Sequence, residues 1–489
     1  MLDVNIKIIT ELKKFLEIST SDLNVLNHFR SSQRDFTRNR KLSFARLVLF
    51  ISKLCKKTLS VELDQFFETE LTGSHSSCTV SAYSQQRNKL ESSFFQVWNQ
   101  VLYESFYHYG KQQTKRWKGY RVIAADGSSV SLISTSALAS HFGGQSNQSG
   151  AYTGAKTLLH YDVLNKLVIY SNLTPYRTGE LPMAHRAIDT LAPDTLTIYD
   201  RNFCNFKMVA LHRWGEVERR FVIRAKESQK FIASFIKRGS LSEEVNMYPT
   251  DEAIIEMKKS GFIVTKKTAL KVRLVRVDLP NGVTEVLITD LWENEGYGAE
   301  LFKDLYFMRW GVETGISVLK NLLQLESFSG QTVKSVEQDF FATIFMANLS
   351  ALIVRQAEEE KAALDARQAE EKKSTLDTLQ AQQGKAVPDA PQAQKKQSSP
   401  QPVSGKRKMR NWPVQVNRNK ATGKLREALV CLFTSARPDE ILQHLSAYFR
   451  KHMLPVRKGR SFPRKIKKNS RKINIRHFQI TKPQYESLT

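Results

Sequence analysis

The sequence predicts a mixed α/β protein with a helical N-terminal region and a basic C-terminal region. Three observations predict it. Short apolar strands alternate with helices between residues 118 and 226. Two alternating runs, Leu270–Leu279 and Val283–Leu291, meet at Pro280-Asn281-Gly282, a strong hairpin signal. Residues 1–117 instead carry apolar residues at helical spacing. At 489 residues the chain is too long for one compact core, so two to four domains are expected.

In the N-terminal region, Leu42–Lys57 and Val80–Tyr109 have the helical pattern, and Ser81 or Thr79 can cap the second. The early polar residues of that helix, Gln85, Gln86 and Arg87, are of types that reach base edges or phosphates. They suggest a helix-turn-helix-like DNA-binding module; a solvated helix face explains them equally well. From Arg121 the pattern changes. Arg121–Ala125 reads as a strand ending in Asp126-Gly127-Ser128, and Thr157–Val163 with Leu167–Leu173 as a hairpin. Leu181–Leu191 reads as a helix, Leu196–Tyr199 as a strand ending in Asp200, Phe203–Trp214 as a helix and Arg220–Arg224 as a strand. This order matches a ribonuclease-H-like core, residues 118–226. A β-rich insertion, 227–294, interrupts it, and 295–355 resume it with a long helix over Gly298–Leu325.

Residues 356–410 form a low-complexity linker. Arg355-Gln356-Ala357-Glu358-Glu359 recurs twelve positions on, and Gln382–Gly405 should be disordered. Residues 411–489 hold two amphipathic helices, Ala421–Thr434 and Pro438–Arg450, and then a basic tail.

Composition narrows the function. The net charge of +26 attracts polyanions. From Lys451 to Thr489 there are 12 Lys/Arg against one acid, Glu486, a net +11. Arg457, Arg460, Arg464, Lys465, Lys467 and Lys468 belong to this run and suit phosphate contacts. The four cysteines are scattered, which disfavours disulfides and zinc and fits a reducing cytoplasm. No secretory signal and no spanning segment is expected; the apolar run near Leu47–Leu54 is short and interrupted.

The chemistry rests on acids. Asp126 and Asp200 both follow strands, where α/β sheets collect catalytic groups. Two-metal phosphodiester cleavage needs carboxylates converging on ions about 4 Å apart, and magnesium prefers carboxylate and water oxygen. The helix after the insertion offers a third. Tyr306, Arg309, Glu313 and Lys320 fall within about 60° of one another on a helical wheel. Glu313 suits a metal, while Arg309 and Lys320 suit phosphates. A salt-bridged exposed face explains the same spacing.

The sequence Tyr306-x2-Arg309-x3-Glu313-x6-Lys320 resembles the Tyr-Arg-Glu-Lys signature of the IS-four family of insertion-sequence transposases. Asp126-Gly127-Ser128 and Asp200-Arg201-Asn202-Phe203 resemble its two aspartate motifs, with Asn202 where Gly is frequent. The resemblance spans roughly residues 30–350. It implies that Asp126, Asp200 and Glu313 bind two Mg²⁺ or Mn²⁺ ions. It further implies a cytoplasmic, nucleoid-associated enzyme that acts on double-stranded DNA, at transposon ends and in target DNA. A homodimer would work in the synaptic complex, with no membrane and no small-molecule substrate. Tyr306, Arg309 and Lys320 would grip terminal DNA, and Trp292 of the insertion would stack on a flipped base. A nuclease or resolvase of the same fold without strand transfer, and a catalytically silent DNA-binding repressor, are the alternatives.

Overall fold

The computed structural model describes all residues except 71–76, 148–149, 280–281, 384–412 and 457–489. Met1–Ala390 and Val416–Met453 form one unit; Pro391–Gln415 and Leu454–Thr489 form another, nearly all of it outside the described residues. The tail residues Arg457, Arg460, Arg464, Lys465, Lys467 and Lys468 lie there too, as does most of the expected disordered stretch 382–405.

The helices α1 (Leu2–Ser21), α2 (Leu23–Asn27), α3 (Phe44–Ser52), α4 (Leu59–Glu70), α5 (Val80–Arg87) and α6 (Ser93–Tyr109) come first. Next run β1 (Arg121–Ser131), α7 (Ser136–Phe142), β2 (Gly144–Asn147), β3 (Gly150–Asp162), β4 (Leu167–Ser171) and β5 (Thr174–Pro175). They are followed by α8 (Glu180–Ala187), β6 (Thr195–Tyr199), α9 (Phe206–Trp214) and β7 (Arg220–Arg224). The segment after β7 contributes α10 (Lys230–Arg238), β8 (Ser242–Met247), α11 (Asp251–Lys259), β9 (Leu270–Asp278) and β10 (Thr284–Thr289). Then come α12 (Leu301–Phe307), α13 (Trp310–Ser317), a π-helical segment Val318–Leu322 and α14 (Val333–Gln383). Last are β11 (Val414–Val416), α15 (Arg418–Thr434), α16 (Pro438–Lys451) and β12 (Met453–Pro455).

The large sheet has the order β2-β3-β1-β6-β7-β10-β9-β8, with β4 and β5 also paired to β3. β1, β6 and β7 are mutually parallel, and β3 runs antiparallel to β1. The β3–β4 turn is shaped by Asp162, whose carboxylate accepts from the Leu164 and Asn165 amides at 3.1 and 2.9 Å. Lys166 closes that turn at φ 60°.

Three expectations change. First, β1 continues past Asp126 to Ser131, because β3 pairs with it throughout. Its pairing with β6 ends at Ala124. Second, the strands of the expected β-rich insertion, 227–294, join the same sheet as the core. β10 pairs with β7 and carries β9 and β8, so these strands extend the same sheet. The continuous burial of Val286–Thr289 suits an interior strand. Third, the helix expected over 298–325 is tightened at one point and widened at another. Arg309 and Gly311 donate to carbonyls three residues back, and Val318–Leu322 is π-helical.

The N- and C-terminal helices share one core. Trp98 of α6 stacks on Phe345 of α14 at 3.9 Å and lies 5.1 Å from Phe433 of α15. Its indole N–H donates to the Leu12 carbonyl of α1 at 3.1 Å. Val333–Thr375 of α14 is long and apolar enough to cross a membrane, against the expectation from sequence; 78% of its apolar window is buried inside the protein, as in a core helix.

The helix expected over Val80–Tyr109 is broken between Arg87 and Ser93, and Thr79 rather than Ser81 caps its first part. That break sends Arg87 inward, correcting its expected role at DNA. Its guanidinium is buried, 2.6 Å from Asp339, and donates to Gln338, Ser329 and the Ser335 carbonyl. Gln85 stays on the exposed face. Replacing Arg87 by Ala strands the Asp339 charge, so Arg87→Ala should cost roughly 3–5 kcal/mol in chemical denaturation. The DNA affinity of the folded fraction should not change.

Candidate active site

The site begins with strand register. β1 and β6 pair from Arg121–Thr195 to Ala124–Ile198. Two residues beyond the last register pair, Ala124–Ile198, stand Asp126 on β1 and Asp200 just after β6, so the parallel register leads both backbones to the same end of neighbouring strands. Alternation puts them on the face of Val122, Leu196 and Ile198. Phe302, Leu305 and Tyr306 of α12 pack in that same core cluster, and α13, which bears Glu313, lies against β1 and β3.

Two glycines bring this helix close. A Cβ on Gly311 would lie 3.0 Å from the Val163 side chain, and one on Gly315 would lie 3.0 Å from the Tyr161 ring. They lie two residues either side of Glu313, on the side of α13 turned to β3. Asp126 feels the result. Burial pushes its carboxyl up from 3.8 to about 6; the Gly127 amide and Arg309 pull it down, while Glu180 and Glu313 push it up. The Gly127 N–H donates to Asp126 Oδ1 at 3.0 Å.

The predicted Tyr306–Lys320 stripe does converge on β1, but it is more buried than expected. Tyr306 and Arg309 are 6% and 8% exposed. Arg309 lies 3.4 Å from Glu313, with its guanidinium over the Trp310 ring at 4.8 Å and the Tyr306 ring at 5.8 Å. The Tyr306 hydroxyl and Arg309 Nε have no hydrogen-bond partner among the described residues. Burial holds the Tyr306 phenol well above its ordinary value, and Arg309, Asp200, Glu285 and Arg224 all act on it. Lys320, in the π-segment, donates to the Ser129 carbonyl and lies 3.3 Å from Glu326.

Trp292 is not brought to this place. It follows β10, which runs antiparallel to β7, with Thr289 opposite Val222. It therefore lies toward the other end of the strands from Asp126. Its ring is half-buried, faced by Lys271 at 5.2 Å and Arg213 at 5.9 Å. The sequence reading missed Glu180. Its Oε1 lies 2.4 Å from where a Gly127 Cβ would stand, directly beside Asp126. An acid opening a helix after Gly179 is too common a pattern to single it out.

The donors suit a hard divalent cation: half-buried carboxylates on one face, with a cation and a phenol beside them. Glu180 and Glu313 both act on the Asp126 carboxyl through their charge. Among the described residues, no three acids, histidines or cysteines lie close enough to hold one ion together.

The family model described as the transposase DDE domain matches residues 117–349. The chain carries a transposase DDE domain. It is a DDE-type DNA transposase by this domain, and such domains generally use divalent metal ions. Asp126, Asp200 and Glu313 all fall inside the DDE domain; Gln85 and Arg87 precede it. No curated protein matches the chain. Among solved structures it is similar to a cryo-EM structure of the piggyBac transposase synaptic complex with hairpin DNA. The identity is 12% and the TM-score 0.36, over 93% of this chain and 84% of that one.

Two outcomes test this site. Gly315→Val should push α13 off β3 and lower strand cleavage by on the order of 10²-fold with the fold intact by circular dichroism. Tyr161→Leu in the same chain should recover part of that loss. The second concerns Asp126. Its raised value means that the folded chain holds the proton more tightly than the unfolded one. Its contribution to stability is therefore fully present below about pH 4 and lost as pH rises through about 6. In chelator-treated protein Asp126→Asn should remove this loss, on the order of 1 kcal/mol after solvent screening, in melts across that range.

Proposed function

We propose that this enzyme binds the terminal inverted repeats of its own insertion sequence and performs cut-and-paste transposition, as in the IS-four family. The observation that carries the reading is the common face shared by Asp126, Asp200 and the Glu313 helix inside a transposase DDE domain. The strand order β4-β3-β1-β6-β7, with β3 antiparallel and β6 and β7 parallel to β1, supports a ribonuclease-H-like core.

In this reading Asp126, Asp200 and Glu313 hold two Mg²⁺ or Mn²⁺ ions, and Glu180 adds negative charge beside Asp126. The ions, when bound, activate the attacking oxygen and stabilise the leaving one. The chain's own groups do the rest. Arg309 braces Glu313 and, with its unpaired Nε, offers a donor to a phosphate oxygen. The Tyr306 hydroxyl offers a second donor. A buried donor without a partner costs about 1–3 kcal/mol, which a phosphate oxygen would recover. Lys320 adds positive charge beside β1. A homodimer aligns two element ends.

The test incubates purified protein with an inverted-repeat duplex and Mg²⁺. Nicking at the element end followed by joining to target DNA is expected. Asp126→Ala, Asp200→Ala and Glu313→Ala should each abolish nicking without loss of DNA binding. Arg309→Ala should slow it by on the order of 10²-fold. Equal cutting of unrelated duplexes, with no joining, would point to a nuclease instead.

A further inference from the structure

The N-terminal helices hold a second cationic feature, outside the DDE domain and beside the end of α5. The loop between α2 and α3 is fastened to the end of α5. The Ser31 amide donates to the Lys89 carbonyl, and the Glu91 amide donates to the Phe29 carbonyl, both at 2.9 Å. The buried Gln86 donates to the Leu42 carbonyl at 3.1 Å. Arg30 braces the loop from within, donating to Asn27 Oδ1 and to the Asp35 carbonyl.

A cleft of about 270 Å³ opens between this loop and α5, lined by Arg34, Phe36, Thr37, Arg38, Arg40, Gln86 and Lys89. The cations around it are treated differently from their neighbours. Arg30, Arg46 and Arg87 are spent on internal hydrogen bonds. The guanidiniums of Arg34, Arg38 and Arg40 are exposed and have no hydrogen bond or ion pair among the described residues. Lys89 donates to Gln86 Oε1 at 3.1 Å, and its nearest carboxylate, Asp35, is 3.9 Å away. No carboxylate lines the cleft.

We propose that this cleft is a phosphodiester site that grips the backbone of DNA. The inference rests on the DNA-processing reading above and deepens it with a contact outside the DDE domain. Four positive groups around one cleft repel one another, and an anion between them removes that cost. Arginine forks match the paired oxygens of a phosphate. Phe36 is the one apolar side chain in the lining, which argues against a small apolar ligand. A duplex carries one charge per about 1.7 Å, enough to serve several cations at once. The contact is with backbone, so it should not discriminate sequence.

The experiment uses the full chain and fluorescence anisotropy with two labelled duplexes, one of the element end and one of unrelated sequence, over a series of salt concentrations. The variant is Arg34→Gln/Arg38→Gln/Arg40→Gln. Its slope of log affinity against log salt should be shallower by about 2–3 for both duplexes. The Arg→Lys triple variant should restore most of the slope. Lys258→Gln/Lys259→Gln/Lys267→Gln, which removes equal charge from exposed positions elsewhere, should change it far less. An unchanged slope in the Gln variant, or an equal loss in the distant variant, overturns the cleft while leaving the DNA reading in place. Failure of the unaltered protein to bind either duplex overturns both. A Tm rise with inorganic phosphate that the Gln variant loses, with the DNA slope intact, assigns the cleft to a free ion and overturns the DNA form.

Discussion

Four register pairs between β1 and β6, Arg121–Thr195 to Ala124–Ile198, fix the height of Asp126 against Asp200. Everything else at the site depends on that alignment. A slip of one residue in either strand would turn one aspartate to the opposite face of the sheet, into the cluster of Met183, Tyr199 and Phe203. Both strands are protected against slipping. β6 is buried along its whole length between two parallel neighbours, and β1 is held on its other side by β3 through nine paired positions, Ile123 to Ser131.

The third carboxylate is set by a different kind of constraint, close packing. Gly311 and Gly315 let α13 approach β3 more closely than side chains would allow. The approach concentrates negative charge: Asp126 is raised by burial and then by Glu180 and Glu313. Arg309 offsets part of this, tied to Glu313 and stacked on Trp310. The nearby buried donors without partners, on Tyr306 and Arg309, belong to the same tension. A fold optimised only for stability would have paired them.

Much of this was legible in the sequence, and the reasons for the rest are physical. β7 was read at its full length, and β6, α15 and α16 to within three residues, because each is a strongly periodic run with clear ends. Asp126, Asp200 and Glu313 stood out in the sequence because acids after short apolar runs and helical spacing are local signals. Three things were not local. β1 runs on through Asp126-Gly127-Ser128 only because β3 supplies a partner from elsewhere in the chain. Arg87 turns inward because Asp339, 252 residues away, waits for it. Trp292 falls at the far end of the strands because β10 joins the sheet antiparallel to β7. Spacing shows which residues share a helix face, and cannot show what that face meets.

The continuation of β1 past Asp126 has a mechanical consequence. Asp126 is held within a run of backbone pairs, as on an anvil, and not on a loop that could yield. The helical side is less regular: its path tightens before Trp310 and loosens again from Val318. The segment bearing Glu313 is the more irregular of the two surfaces, and the two glycines let it rest against the strand.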